Sequence, residues 1–225
     1  MALIAPSLLA ADFARLGEAL DIFKTAGASM IHVDVMDGNF VPEISVGLPV
    51  IESLRKATDL PLDVHLLIER PERFVERFVK AGADRLSVHA EATTRLRSVL
   101  ERIRMSGAQA GVALNPCTPL ELASEVLGDV DFVIVLTAEP ALGEQGFIPG
   151  TVAKIRAAAQ ARADRRREFA IQAEGGIGPH NIEELTRAGA DILVAGSAIF
   201  DSVDPRSRLS EMIRLVAGIR LTSKA

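Results

Sequence analysis

The chain has 225 residues, of which 48% are hydrophobic and 24% are charged, so it can bury a full core and is not a disordered tail. Its 25 basic and 30 acidic residues give a net charge of −5, which argues against nucleic acid as a partner. No apolar run is long enough to span a membrane, and the single cysteine cannot form an internal disulfide, so we expect a cytoplasmic protein.

Short apolar runs rich in Val, Ile and Leu recur along the chain, and such runs are typical of strands buried on both faces of a parallel sheet. The first run is interpreted as a strand and loop rather than a signal peptide, because no basic residue precedes it and Pro6 interrupts it. In chain order the predicted strands are Leu3–Pro6, Met30–Asp37, Leu62–Ile68, Arg85–Glu91, Gln109–Asn115, Phe132–Glu139, Phe169–Gly176 and Ile192–Phe200.

Each run is followed by an amphipathic stretch that predicts a helix. Gly27, Gly82 and Gly189 each stand just past such a stretch, where a left-handed residue commonly ends a helix. In chain order the predicted helices are Asp12–Ala26, Leu48–Ala57, Glu72–Ala81, Thr94–Met105, Pro119–Leu127, Thr151–Arg166, Pro179–Ala188 and Arg206–Ile219.

This alternation of strands and helices predicts βαβ units and a parallel sheet. Closure into a single (β/α)8 TIM barrel is the simplest arrangement, and a doubly wound open sheet is the alternative. No linker or low-complexity stretch divides residues 1–225, so one domain is expected. In such a barrel the chemistry lies at the carboxyl ends of the strands, which directs attention to the polar residues there.

Four polar residues are expected to converge inside the mouth of the barrel. His32 and Asp34 alternate on the second strand and therefore point to the same side. His65 on the third strand and Glu174 on the seventh lie at comparable levels. Each residue alone could be a satisfied core residue or a helix cap, but four such groups would be costly to bury unpaired. Together they suit a divalent transition metal such as Zn, Fe, Mn or Co.

Small residues follow the last two predicted strands. Gly175 and Gly176 lead from the seventh strand toward a helix, and Gly196 and Ser197 lie at the end of the eighth. A glycine pair can serve only a turn, but these loops are the usual phosphate site of this barrel, where backbone N–H groups can approach an anion. The pattern therefore predicts a phosphate-binding site.

Seven segments, distributed in order over nearly the whole chain, closely resemble the ribulose-phosphate 3-epimerase family. They are Ile4–Leu8, Ala11–Phe13, Ile31–Gly38, Phe40–Pro42, Leu62–Leu66, Gly111–Pro116 and Ala195–Phe200. Within the third segment, the stretch Val-Asp-Val-Met-Asp-Gly is specific. The family consists of (β/α)8 barrels that invert carbon 3 and so interconvert D-ribulose 5-phosphate and D-xylulose 5-phosphate.

The resemblance implies that Asp34 and Glu174 are the two acid/base carboxylates and that the reaction passes through an enediolate. It also implies that one divalent metal ion, held by His32, Asp34, His65 and Glu174, stabilises this enediolate. The implied substrate and phosphate contacts are Ser7, Met36, His65, Gly143, Gly175, Gly176, Gly196 and Ser197. The expected partner is a small-molecule sugar phosphate, and homo-oligomerisation is left open.

The sequence departs from the family pattern close to the implied site. Position 174 is Glu where the family has Asp, and the extra methylene moves the carboxylate by about a bond length, a displacement that matters for catalysis. Glu144 would place a negative charge near a bound phosphate. The other departures are Asn39, Leu67, Leu136, Ala141 and Leu142.

These departures leave two alternatives open: an epimerase for another ketose phosphate such as allulose 6-phosphate, and a weakly active or non-catalytic sugar-phosphate-binding paralogue. A binding protein would lose the acid pair, and both carboxylates are present here. A lysine-assisted lyase is disfavoured, because the run Asp34–Asp37 contains no Lys. His89, at the end of the fourth strand, is interpreted as a structural hydrogen-bonding residue rather than as part of the barrel mouth.

Overall fold

The apolar runs form eight strands in the computed structural model, which describes residues 2–140, 146–164 and 168–219. The strands are β1 Leu3–Pro6, β2 Ile31–Met36, β3 Leu62–Leu67, β4 Arg85–His89, β5 Gln109–Leu114, β6 Phe132–Leu136, β7 Ala170–Glu174 and β8 Ile192–Ala195. They form one parallel sheet in the order β1-β8-β7-β6-β5-β4-β3-β2.

The two ends of this sheet meet through a parallel bridge between Ser7, which directly follows β1, and His32 of β2. Since β1 also pairs with β8, the bridge closes the sheet into a barrel. The strands follow one another around the barrel in chain order, whereas a doubly wound sheet reverses its order at a switch point. The predicted (β/α)8 TIM barrel is therefore confirmed, and the open-sheet alternative is wrong.

Alternation along the strands separates the core from the site. On β2, Ile31, Val33 and Val35 pack in one apolar layer with helix residues such as Phe23 and Ile51. The intervening side chains of β2, including His32 and Asp34, therefore point into the barrel. On β2, the aliphatic side chains are therefore buried between sheet and helices, and the polar side chains face the interior.

Helices pack around the outside of the barrel. Gly27 and Gly189 adopt the left-handed conformation after two of them, as predicted, and Gly82 also has a positive φ, of 122°. The helices are α1 Leu16–Ala26, α2 Leu48–Ala57, α3 Val75–Ala81, α4 Leu96–Met105, α5 Thr151–Asp164, α6 Ile182–Ala188, α7 Ser197–Phe200 and α8 Pro205–Gly218.

Two predicted elements differ in kind from those observed. The predicted helix Pro119–Leu127 is a 3-10 helix over Leu120–Ala123 followed by turns. Ala123 and Val126 are buried three residues apart, a spacing that tight i→i+3 turns satisfy as well as an α-helix does. The predicted strand Ile192–Phe200 ends at Ala195, because Gly196 leaves the extended conformation with ψ −84° and α7 begins at Ser197.

Other boundaries shift by a few residues, and a short 3-10 turn takes the place of the start of two predicted helices. In the first helix, the Asp12 side chain accepts a hydrogen bond from Ala14 N and caps a 3-10 turn over Phe13–Arg15, so α1 begins only at Leu16. A similar turn over Pro71–Arg73 precedes α3. Across the part of the chain that the structure describes, no helix combines the length and the apolar character needed to cross a membrane.

Candidate metal centre and substrate cavity

Strand register brings the four predicted metal ligands together. Asp34 of β2 is the register partner of His65 on β3, and His32 lies two residues before Asp34 on the same strand. Glu174 ends β7, on the other side of the barrel interior. One candidate ligand atom from each of these four residues lies within 4.8 Å of the others, and all four side chains are buried.

Each imidazole contacts both carboxylates. Nε2 of His32 lies 3.0 Å from Oδ1 of Asp34 and 3.2 Å from Oε2 of Glu174. Nδ1 of His65 lies 3.2 Å from Oδ1 of Asp34 and 3.1 Å from Oε1 of Glu174. The two nitrogens and the two carboxylates thus face one common point, as predicted.

A polar network lies behind His32. Its Nδ1 lies 2.8 Å from Oδ2 of Asp63, which also accepts a hydrogen bond of 2.8 Å from the Gln172 amide. The second carboxylate oxygen of Asp63 accepts a hydrogen bond of 2.9 Å from Arg85 Nε. Because an ionised carboxylate only accepts, His32 must carry a proton on Nδ1, which leaves Nε2 to face the cluster.

A different chain of contacts lies behind His65. Its Nε2 is 2.9 Å from Nε2 of His89, and Nδ1 of His89 is 3.2 Å from Oε2 of Glu91. The His65 and His89 rings are stacked, with their centroids 4.9 Å apart. His89 is fully buried and contacts another imidazole, which agrees with the hydrogen-bonding part of its interpretation.

At His32, His65 and Asp34, contacts with groups of opposite charge together affect the pKa more than burial does. Burial lowers the pKa of His32, but the carboxylates of Asp34 and Glu174 hold that pKa well above its usual value. Burial acts in the same way on His65, and Glu174 and Asp34 still raise its pKa to about 9. Burial raises the pKa of Asp34, but His32 and His65 hold it well below its usual range. The cluster therefore combines an ionised carboxylate with two imidazoles that hold protons at the positions facing it.

These four residues fit a divalent transition metal. Two imidazole nitrogens and two carboxylates form a mixed donor set typical of such ions. Oε2 of Glu174 is buried and has no hydrogen bond from any described residue, since its contact with His32 lacks hydrogen-bond geometry. A cation would give this oxygen the partner that it lacks, so the cluster could hold a metal ion.

A cavity of about 250 Å³ opens at the carboxyl ends of the strands, and Asp34 and Glu174 line it. Ser7 also lines the cavity and donates a hydrogen bond of 2.9 Å to Oδ2 of Asp34. The further residues predicted to contact substrate that line it are Met36, Gly175, Gly176, Gly196 and Ser197. His65, predicted both as a ligand and as a substrate contact, is fully buried in the cluster.

The glycines of this cavity are also required by close backbone packing. Gly175 and Gly176 have φ of 111° and 64°, a region that side chains rarely adopt. A Cβ on Gly175 would lie 2.7 Å from the backbone N of Ala138, and one on Gly176 would lie 2.6 Å from that of Phe147. The loop after β7 can therefore lie against the segments after β6 only because these residues are glycines.

The residues that depart from the family pattern lie in different places, some at the cavity and some away from it. Leu67 and Leu136 line the cavity, whereas Asn39 lies in an exposed turn where Asp37 accepts hydrogen bonds from its N–H and from that of Phe40. Gly143, the remaining predicted substrate contact, lies outside the described residues, and so do the departures Ala141, Leu142 and Glu144.

Sequence reasoning missed the outer network of Asp63, Arg85 and Gln172. The alternation of side chains along a strand indicated two of these residues, because Asp63 precedes His65 by two positions and Gln172 precedes Glu174 by two. Both side chains consequently point into the barrel beside the predicted ligands. Arg85 precedes no predicted ligand on its own strand, and its guanidinium reaches Asp63 on the adjacent strand β3 and Gln172 on β7.

Solved structures with a similar fold include the Streptococcus mutans protein described as KGPDC, with a TM-score of 0.71 and 14% identity over 96% of this chain and 98% of that one. The Pyrococcus furiosus tryptophan synthase α-subunit has a TM-score of 0.69 and 16% identity over 97% of this chain and 98% of that one. Likenesses at such low identity bear on the fold alone, and they support a (β/α)8 barrel.

Sequence comparison goes further. Residues 3–200 match the ribulose-phosphate 3 epimerase family, and the chain belongs to this family. It is 43% identical to ribulose-phosphate 3-epimerase of Bacillus subtilis over 93% of this chain and 97% of that protein. It is 46% identical to the Synechocystis enzyme of the same name over 88% of this chain and 87% of that protein. The chain is therefore an enzyme of the isomerase class, an epimerase, as its sequence motifs predict.

Proposed function

We propose that this enzyme interconverts D-ribulose 5-phosphate and D-xylulose 5-phosphate by inverting carbon 3. The observation that carries the proposal is the meeting of two carboxylates, Asp34 and Glu174, in one cavity that has a glycine-rich rim. The names of the relatives support the choice of substrate. A role in the pentose phosphate pathway follows from that substrate.

Inversion requires a proton to leave one face of carbon 3 and another to arrive on the opposite face, so two positioned groups are needed. Asp34 is suited to one face, because its carboxylate is held in the ionised form and its Oδ2 accepts a hydrogen bond from Ser7. Glu174 is suited to the other, because it reaches the cavity from β7, three strands around the barrel from β2. Each carboxylate would act as base in one direction and, once protonated, as acid in the other.

The proposal includes one divalent ion, Zn, Fe, Mn or Co, held by His32, Asp34, His65 and Glu174. When bound, the ion would supply Lewis acidity that stabilises negative charge on the substrate oxygens beside carbon 3. The protein residues would fix the position of the ion. Asp63 orients His32 through the ring nitrogen that faces away from the cluster, and burial keeps water from the four residues.

The phosphate is proposed to bind at Gly175, Gly176, Gly196 and Ser197, with Gly143 as a further contact. The glycines allow an anion to approach the backbone closely, and Ser197 begins α7, where N–H groups of the first turn lack intrahelical acceptors. Ser7 and Met36, which line the cavity, are the proposed contacts to the sugar and its oxygens. His65 is proposed only as a metal ligand, because its side chain is fully buried.

The proposal is tested by assaying carbon-3 epimerisation of D-ribulose 5-phosphate and D-allulose 6-phosphate after metal analysis of the purified protein. We expect turnover of the pentose phosphate, its loss on chelation, and recovery when a divalent transition metal is added back. Preferential turnover of allulose 6-phosphate would assign the enzyme to another ketose phosphate. No epimerisation of either compound by the metal-loaded protein would contradict the proposal.

A further inference from the structure

A chain of contacts leads away from the proposed metal site through His89 and Glu91, two residues that the chemistry of the site does not use. From Nε2 of His65 it passes to Nε2 of His89 at 2.9 Å, and from Nδ1 of His89 to Oε2 of Glu91 at 3.2 Å. His65 and His89 are fully buried, and their rings are stacked. Water therefore cannot take the place of the contact between His65 and His89, whereas Glu91 at the far end is exposed.

Glu91, the last residue in this series of contacts, fixes the direction of the hydrogen bonds between the three residues. Burial raises the pKa of Glu91, but hydrogen bonds from His89, Thr118 and the Asn115 N–H lower it to about 2. Glu91 is thus an ionised carboxylate, and its other oxygen, Oε1, accepts a bond of 2.8 Å from Asn115 N. Oε2 can only accept, so the contact with His89 requires a proton on Nδ1 of His89.

The position of the proton on His89 then determines which nitrogen of His65 is the donor. With its proton on Nδ1, a neutral His89 presents the bare Nε2 as an acceptor toward His65. His65 must therefore donate from Nε2, and its Nδ1 is left facing Asp34 and Glu174. This is the nitrogen that a metal in the cluster would take.

We propose that His89 and Glu91 are positioning residues that hold His65 in the one tautomer and ring orientation whose Nδ1 can bind the metal. The inference rests on the metal site proposed above and assigns its outer support on the β4 side. His32 receives such support directly from a carboxylate, Asp63, whereas His65 receives it through an intervening neutral imidazole. Glu91 also anchors the chain to the end of β5 through Asn115.

The first test leaves the proposed chain of contacts unaltered. Nitrogen-15 NMR of the histidine rings of the zinc-loaded protein is expected to show His65 protonated on Nε2 and His89 protonated on Nδ1 alone. The His180→Leu variant, which removes an exposed imidazole outside the cluster, supports the assignment of the signals. A proton on Nε2 of His89 in the zinc-loaded protein would overturn the inference.

The second test measures zinc affinity by competition with a chelator. His89→Leu removes the acceptor at similar size and is expected to weaken zinc binding about 10- to 100-fold. His89→Gln retains an amide oxygen that can accept from His65, so it is expected to recover most of that loss, and His180→Leu is expected to bind as the wild type does. Equal affinity of His89→Leu and wild type would refute the positioning role while leaving the metal site intact. Absence of zinc binding by the wild type itself would instead refute the proposed metal site, and the inference with it.

Discussion

Oδ2 of Asp63 lies 2.8 Å from Nδ1 of His32, so the carboxylate holds this imidazole from the side opposite the cluster. The same oxygen accepts from the Gln172 amide, and Oδ1 accepts from Arg85. Asp63 thus acts as an acceptor toward three donors at once, a task that only an ionised carboxylate performs fully.

Asp63→Asn is therefore expected to weaken zinc binding about 10- to 100-fold and to lower the free energy of unfolding by about 1 to 3 kcal/mol. The amide must turn its NH2 group toward at least one of the former donors. Chelator competition and urea unfolding measure the two effects. Asp59→Asn, the same change at an exposed position, serves as the control. Unchanged zinc affinity in Asp63→Asn would show that His32 is oriented without the carboxylate.

The metal-free protein is expected to lose stability as the pH rises. The pKa of His65 is about 9 in the folded chain, against an ordinary value of 6.5, because carboxylate contacts outweigh its burial. A group with a raised pKa contributes stability that is fully present below about pH 6.5 and is lost as the pH rises through about 9.

Urea unfolding of chelator-treated protein across this pH range measures the effect, and His65→Gln is expected to flatten part of the slope. Zinc competes for the same nitrogen, so its affinity is expected to increase over the same range. A free energy of unfolding that stays constant between pH 6.5 and pH 9 would contradict the charge pairing described here.

Gly176→Ala is expected to destabilise the loop after β7 and to raise KM for the sugar phosphate. The added Cβ would lie 2.6 Å from Phe147 N, and φ is 64° there, so strain of about 1 to 3 kcal/mol is expected. Gly150→Ala is the matched control, because its Cβ would meet open space. Thermal unfolding and substrate titration check both effects. Equal stability and KM of the two variants would show that the glycine serves neither packing nor binding.

Glu174→Asp is expected to lower kcat/KM about 100-fold. The glutamate oxygens lie 3.1 Å from His65 and 3.2 Å from His32, so the pocket is built around the longer acid. Steady-state kinetics measure the change, with Glu183→Asp on the exposed face of α6 as the control. A rise in kcat/KM for D-ribulose 5-phosphate would instead mean that Glu174 suits a different ketose phosphate.

Period-two alternation was enough to predict the fold and the convergence of four polar residues inside the barrel. It places His32 and Asp34 on one side of β2, and the eight βα units lead to the barrel. The same alternation turns Asp63 into the barrel, but it does not predict the contacts of Asp63 with His32 and of His89 with His65, because these depend on which residues of neighbouring strands lie side by side. That register is a tertiary property. The end of β8 depends likewise on the backbone of Gly196, which the apolar pattern through Phe200 does not reveal.

Asp34 and Glu174 are proposed to serve opposite faces of carbon 3. Hydrogen exchange in deuterium oxide, followed by NMR of D-ribulose 5-phosphate and D-xylulose 5-phosphate, tests this proposal most directly in Asp34→Asn and Glu174→Gln, each checked for retained metal. Both variants are expected to lose inversion, since either loss interrupts the two-base path, and a variant that still exchanges is expected to do so on one face only, without forming the other epimer. Normal inversion by Glu174→Gln, with deuterium entering at carbon 3, would contradict the two-carboxylate account.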